Sequence, residues 1–190
     1  MILGITGGSG AGKTTLLEVA RKLGFRVLDC DRIYHELLQT DADLLSAIEE
    51  RFPGTVEEGQ LQRKKLGAIV FADSRALAAL NAITHTAIRR ELEVRLAQGG
   101  NVAIDAVALF ESGLAEVCDG TVAVVAPVEE RVRRLMAREG ITESYARSRI
   151  AAQPSEDWYR QRCDHVLENS GDLQGFQQDC LAFFAQKGIM

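Results

Sequence analysis

The sequence predicts an α/β fold, a five-stranded parallel sheet flanked by helices, with a helical insertion and a helical lid. Three observations carry this. The runs 2–5, 102–105 and 121–125 are apolar, save Thr121 and the terminal Asp105, rather than alternating, as strands buried on both faces are. The stretches between them carry apolar residues at helical spacing. A glycine-rich loop joins the first run to a helix, and a short strand follows that helix, which makes a right-handed βαβ unit.

The loop reads Gly7-Gly8-Ser9-Gly10-Ala11-Gly12-Lys13-Thr14-Thr15, a Gly-x-x-x-x-Gly-Lys-Thr motif after a strand and at the start of a helix. Its chemistry is phosphate binding. Glycines permit positive φ and bring backbone N–H groups close to phosphate oxygens. The helix start adds unpaired N–H groups and the positive end of its dipole. Lys13 is placed to reach the β- and γ-phosphates, and the Thr14 hydroxyl to bind Mg²⁺. Motif, preceding strand and following helix agree, which sets aside an accidental glycine-rich turn.

At 190 residues the chain has room for one domain with a sizeable core and a small insertion. A net charge of −5 argues against bulk binding to nucleic acid or to anionic membranes. No apolar run is long enough to span a bilayer, and the chain opens on a strand rather than on a signal region, so a cytoplasmic location is expected. Cys30, Cys118, Cys163 and Cys180 form no C-x-x-C pair and no metal spacing, and read as reduced thiols. No obligate protein partner is expected.

Taken in order, the first strand and the loop lead to a helix from Thr14 to about Leu23, closed by Gly24, and to a short strand at 25–29 that ends in acid. Residues 31–98 are helical. Ile33, Leu37 and Leu38 share a face, as do Leu44, Leu45 and Ile48, before Pro53-Gly54 interrupts. A helix at 61–71 follows; Asp73 or Ser74 caps another through Leu77, Leu80 and Ile83; and Ile88, Leu92 and Leu96 mark one more. This is too much helix for one crossover, so part of it is an inserted subdomain suited to a second substrate. After Gly99-Gly100 come the strand at 102–105, a loop at 106–113 and the strand at 121–125. Helices at 128–139 (closed by Gly140), at 143–152 (capped by Thr142) and at 155–163 precede a fifth strand at 165–168, a turn at Asn169-Ser170-Gly171 and a helix at 173–186.

Acids at the carboxyl ends of parallel strands face the crevice where ligands bind. Asp31 follows the second strand and could accept a proton from a hydroxyl attacking a γ-phosphate; the plainer alternative is that it caps the next helix. Asp105 ends the third strand and could hold Mg²⁺ directly or through water, or simply be bonded within its loop. Residues 131–162 hold eight arginines (Arg131, Arg133, Arg134, Arg138, Arg147, Arg149, Arg160, Arg162) against four acids, a local excess of +4. Arg131, Arg134 and Arg138 share one helical face. Planar guanidinium forks suit phosphate, and a basic lid closing over ATP would exclude water. For most of these arginines, Arg138 excepted, a solvated helical face is the expected reading. His85 by itself reads as a structural histidine, and Arg63-Lys64-Lys65 as a solvated cluster that could also meet a phosphorylated substrate.

Several segments together carry a family resemblance: Ile5-Thr6 with the glycine loop, Val27-Leu28-Asp29-Cys30-Asp31, Arg63-Lys64-Lys65-Leu66-Gly67 with Val70-Phe71, Leu109-Phe110-Glu111-Ser112-Gly113-Leu114, Arg134-Leu135-Met136-Ala137-Arg138, Arg149-Ile150-Ala151-Ala152-Gln153 and Asn169-Ser170-Gly171. In this order and at this spacing they resemble the dephospho-coenzyme A kinases. The resemblance implies a P-loop NTPase fold of the nucleoside-monophosphate-kinase type. Its parts would be a core at 1–30, 99–130 and 164–190, a helical coenzyme A-binding domain at 31–98 and a lid at 131–163. It implies transfer of the ATP γ-phosphate, with Mg²⁺, to the ribose 3′-hydroxyl of dephospho-coenzyme A. On this resemblance Asp31 is the base, and Lys13 and Arg138 stabilise the transferring phosphoryl group. Gly8, Gly10, Ala11, Gly12, Lys13, Thr14, Thr15, Arg138 and Asn169 would bind ATP. Asp31, Arg63, His85, Leu109, Phe110 and Glu111 would meet the acceptor, and Thr14 and Asp105 the metal. The sequence departs from the family at Thr86 and Val107, where proline is usual, at Pro154-Ser155, where Met-Pro is usual, and at Gln62, where an acid is common. These departures touch the walls of the acceptor site rather than the reacting groups.

Two rival readings are weaker. A kinase for another acceptor, such as a nucleoside, a nucleotide or shikimate, is disfavoured by Leu109-Phe110-Glu111 and by the helical insertion. A nucleotide switch or a transport ATPase would need Asn-Lys-x-Asp or Leu-Ser-Gly-Gly-Gln, and the sequence has neither.

Overall fold

Strand β1 (Ile2–Thr6) leads through the glycine loop into helix α1 (Lys13–Lys22) and strand β2 (Arg26–Asp29) in the computed structural model, which describes residues 1–188. Helices α2 (Cys30–Thr40) and α3 (Ala42–Arg51), the short strands β3 (Val56–Glu57) and β4 (Gln60–Leu61), and helices α4 (Arg63–Val70) and α5 (Ser74–Leu96) follow. The remainder is β5 (Val102–Asp105), a 3-10 turn at Leu114–Val117, β6 (Gly120–Val125), α6 (Val128–Glu139), α7 (Glu143–Ala151), α8 (Glu156–Arg162), β7 (His165–Glu168) and α9 (Leu173–Gln186). The chain forms two compact units, one of Met1–Leu28 with the described chain from Gly100 onward, the other of Asp29–Gly99. The segment 131–163 belongs to the first.

The first unit is built on a five-stranded parallel sheet in the order β2-β5-β1-β6-β7. β1 is central, with Ile5 opposite Asp105 on one side and Val122 on the other, so the loops after Thr6 and Asp105 leave the same edge of the sheet. The strands are apolar on both faces because helices cover both. On one face Leu3, Ile5, Val122 and Val124 meet Leu16, Leu17 and Ala20 of α1 and Phe176, Phe183 and Phe184 of α9. On the other, Ala123 and Val125 meet Tyr159 of α8. Each large side chain buried in this way contributes about 1.5–3 kcal/mol relative to exposure. α6 and α7 make a satellite core of Val132, Leu135, Ala146 and Ile150.

In the second unit α2, α3 and α4 pack along α5. The sequence predicted two helices here where the structure has one of 23 residues, because no glycine or proline interrupts residues 74–96. It predicted helix from residue 61, but α4 starts at Arg63 and the residues before it pair as a hairpin, with Val56 opposite Leu61. The turn residues Glu58 and Gly59 both have positive φ, +50° and +73°, as a two-residue hairpin turn requires. Asp29, not Asp31, caps α2: its carboxylate accepts the Arg32 N–H at 3.0 Å, leaving Asp31 exposed in the first turn. Thr142 and Ser155 cap α7 and α8.

Among the described residues no helix is long and apolar enough to cross a membrane. None of the four cysteines is joined in a disulfide. Burial pushes the thiols of Cys118 and Cys163 up to about 11 and that of Cys180 to about 12, which makes them unreactive at neutral pH.

One carboxylate ties the second unit together. Glu49 of α3 accepts the backbone N–H of Gly54 at 2.6 Å, Thr55 at 3.0 Å and Val56 at 2.7 Å, fixing the entry to the hairpin. These bonds, the one from Gly54 first, hold its carboxyl below the ordinary glutamate value. A depressed folded pKa means stability that is present above the unfolded value and lost as pH falls through the folded one. Glu49→Gln is therefore expected to lower the melting temperature at pH 7, with the gap to the wild type closing below the ordinary glutamate pKa. A gap that is constant in pH would contradict this.

Candidate active site

At its glycines the loop leaves no space for side chains. Gly7 sits at φ +136°, and a Cβ there would stand 2.2 Å from the Val124 carbonyl oxygen. Gly12 sits at φ +108°, and its Cβ would stand 2.1 Å from Asn169 Nδ2. Backbone conformation and packing exclude an L side chain at both positions. Lys13 opens α1 and its Nζ donates to the Gly7 carbonyl at 2.8 Å, so the ammonium arches over the loop. Thr14 is exposed beside it.

The outer side of the loop is held by α6, by the chain between α7 and α8, and by the turn after β7. Arg131 Nε donates to Ser9 O at 2.9 Å. Gln153 Oε1 accepts both the Ser9 N–H at 2.9 Å and Arg131 Nη2 at 2.7 Å, and Gln153 Nε2 donates to Ser9 Oγ at 2.8 Å. Asn169 Nδ2 donates to Ala11 O at 2.8 Å. Arg134 lies 3.4 Å from the carbonyls of Gly10 and Ala11 and 3.2 Å from Asn169 O and Oδ1. The described peptide bonds are all trans, and in a trans peptide C=O and N–H point in opposite directions. Holding the Ser9 and Ala11 carbonyls turns the Gly10 and Gly12 N–H groups away from Arg131 and Asn169, which leaves them available to an anion.

Beside this loop, Asp105 ends β5 level with Ile5. The loop that follows is anchored by Leu109, wholly buried, whose δ-carbons lie 2.9 and 3.1 Å from where a Gly4 Cβ would be. It carries half-buried Phe110 and exposed Glu111. Phe110 meets Trp158 edge-on at 5.5 Å, Trp158 meets Tyr159 at 5.1 Å, and Arg162 lies 4.4 Å over the Trp158 ring. The Tyr159 hydroxyl is buried with no hydrogen-bond partner. Burial raises its pKa, against the nearby Arg131 charge.

Thr14 and Asp105 offer hard oxygen donors, and among the described residues no group of three or more His, Cys, Asp or Glu could hold a metal. A sparse oxygen set fits Mg²⁺ that arrives on a nucleotide, since such Mg²⁺ takes one or two protein ligands and fills its shell with phosphates and water.

Of the residues singled out in the sequence, Gly8, Gly10, Ala11, Gly12, Lys13, Thr14, Thr15 and Asn169 share one cluster. Arg138 is on the surface, its Nη2 2.5 Å from Glu139, which also pairs with Arg149. The expected solvated face describes Arg133, Arg147 and Arg160 as well, each paired with an acid. It fails for Arg131 and Arg134, which the loop engages. Their spacing placed them on one face with Arg138, but spacing cannot say which end of that face meets the loop. Gln153 was visible only as part of a motif. In the second unit, Arg63 starts α4 and His85 is half-buried in mid-α5. Arg63 lines an apolar cleft of about 180 Å³ with Tyr34, Leu38, Leu61 and Phe71; Phe71 is 84% exposed.

A parallel sheet with this loop at the carboxyl end of its central strand, braced by arginines from the next helix layer, defines a P-loop kinase. The chain belongs to the dephospho-CoA kinase family, whose model matches residues 1–175. It is 39% identical over 177 residues to a dephospho-CoA kinase of Corynebacterium diphtheriae, covering 90% of this chain and 88% of that one. A crystal structure of a Thermus thermophilus protein matches with a TM-score of 0.81 at 37% identity, covering 98% of this chain and 97% of that one. A dephospho-CoA kinase from Campylobacter jejuni matches at a TM-score of 0.70 and 25% identity, covering 100% and 98%.

Two substitutions test the packing. Gly12→Ala forces strain worth about 1–3 kcal/mol, and titration with a fluorescent ATP analogue is expected to show affinity reduced about tenfold or more. An unchanged affinity would mean the loop is not held as described. Tyr159→Phe removes an unpaired hydroxyl, whose burial costs about 1–3 kcal/mol, so melting should occur at or above the wild-type temperature; a clear drop would show that the hydroxyl has a partner in solution.

Proposed function

We propose that this protein phosphorylates the ribose 3′-hydroxyl of dephospho-coenzyme A with ATP, giving coenzyme A and ADP. The observation that carries this is the family match over residues 1–175, which includes every phosphate-handling residue described above. In the proposed step the 3′-oxygen attacks the γ-phosphorus, the bond to the β–γ bridging oxygen breaks, and Asp31 takes the hydroxyl proton. The loop N–H groups and Lys13 hold the β- and γ-phosphates. Thr14 and Asp105, the latter directly or through water, would hold Mg²⁺, which neutralises phosphate charge when bound. Arg138 leaves Glu139 for the transferring phosphoryl group, and closure of the 131–163 lid keeps water from competing as acceptor. Arg63, His85, Phe110 and Glu111 serve the acceptor; Leu109, expected to meet it too, is wholly buried and anchors the loop that carries Phe110 and Glu111. The apolar cleft beside Arg63 suits an acceptor with an uncharged arm and phosphates. The step needs no protein partner, and its ATP and Mg²⁺ are those of the cytoplasm.

ADP release measured with Mg²⁺, ATP and a panel of alcohols tests this. Turnover is expected with dephospho-coenzyme A well above that with shikimate, gluconate or nucleosides; turnover with one of those and none with dephospho-coenzyme A would overturn it. Asp31→Asn should bind ATP normally while turnover falls by about two to four orders of magnitude. Near-normal turnover in that variant would remove Asp31 from the role of base.

A further inference from the structure

Arg131 is a buried charge with no carboxylate in ion-pair contact among the described residues. It is 5% exposed. Among the described residues no carboxylate pairs with it, and its partners are two neutral oxygens, Ser9 O and Gln153 Oε1. Glu156 acts on it electrostatically, but that carboxylate pairs with Arg160 at 3.9 Å. Neighbouring arginines differ: Arg133, Arg138, Arg147, Arg149 and Arg160 each hold an acid at the surface. An unpaired buried ion is strongly unfavourable, so its retention calls for an anion that the free protein lacks. The position of the guanidinium says which one. Its Nη2 lies 2.1 Å from where a Gly8 Cβ would be, so it backs directly onto the phosphate loop.

We propose that Arg131 is a positioning residue whose charge is held unpaired so that the nucleotide polyphosphate, on the other side of the loop, becomes its counter-ion. Gln153 is the neutral holder that makes this work. Its oxygen accepts from Arg131 and Ser9, and its amide reaches the Ser9 hydroxyl, without cancelling the charge. Glutamate could make the same contacts, with the Ser9 hydroxyl turned to donate, but it would neutralise Arg131 in place. The inference rests on the loop binding nucleotide and is independent of the acceptor.

The test is Gln153→Glu in the full chain, titrated calorimetrically with ATP, ADP and adenosine in the absence of acceptor, with melting measured without nucleotide. The variant should melt at or above the wild-type temperature, because the buried ion gains a partner. Its ATP affinity should fall about tenfold, the scale of one charge acting through a partly screened medium. ADP should lose less, and adenosine less than about twofold. A second pair of variants separates charge from shape: Arg131→Lys should keep ATP affinity within about fivefold, whereas Arg131→Gln should lose about tenfold or more. The proposal is overturned if Gln153→Glu binds ATP like the wild type, if it loses ATP and adenosine equally, or if Arg131→Gln binds ATP normally. Should Gln153→Glu not fold, the Arg131 pair decides. A wild-type protein that binds no ATP would overturn both this and the proposed function, whereas failure to use dephospho-coenzyme A alone would leave this test standing.

Discussion

The site depends on the direction in which a few peptide groups point. A phosphate loop works because its N–H groups converge on an anion, and a flexible glycine chain has no reason of its own to hold that conformation. Here the reason comes from outside the loop. The carbonyls of Ser9 and Ala11 are bonded to Arg131 and Asn169, and planarity of the trans peptide transmits that constraint to the amides of Gly10 and Gly12. Much of the conformational entropy that a polyglycine loop would lose on binding is thus already lost on folding.

The fold supplies the bracing. β1 lies in the middle of the sheet, so its carboxyl end is flanked by β5 and β6 and by the segments that follow them. α6 leaves β6 and carries Arg131 and Arg134 to the loop, and β7 delivers Asn169. Asn169 N–H also donates to Val125 O at 2.8 Å, fixing its backbone to the sheet. Close packing makes the arrangement unforgiving: the Val124 carbonyl, the Arg131 guanidinium and the Asn169 amide occupy the space that Cβ atoms on Gly7, Gly8 and Gly12 would need. The glycines serve the protein's own contacts as much as the ligand's.

The sheet strands, the phosphate loop and most helices could be read from the sequence, because buried parallel strands are continuous apolar runs and the loop has a fixed pattern. The short hairpin at Val56–Glu57 and Gln60–Leu61 could not, since two-residue strands have no periodicity and Glu58-Gly59 is a weak turn signal. The break expected within α5 was an inference from apolar spacing where no helix-stopping residue exists. At the site, the residues that touch phosphate in any such loop were legible from type and spacing. Those that aim the loop were not. Arg131 looks like one more arginine in a basic stretch, and Gln153 like a helix-end glutamine; their roles arise from contacts across 122 and 144 positions of sequence. Asp29 and Asp31 show the same limit, since either could cap α2 and only the backbone geometry assigns the cap to Asp29.

If the held carbonyls of Ser9 and Ala11 aim the Gly10 and Gly12 amides, a bound nucleotide must show it. A crystal structure with a non-hydrolysable ATP analogue measures this directly. Phosphate oxygens are expected within hydrogen-bond reach of both amide nitrogens, with the Arg131 bond to Ser9 O and the Asn169 bond to Ala11 O retained. A nucleotide bound with either peptide reversed, or with those bonds broken, would contradict it.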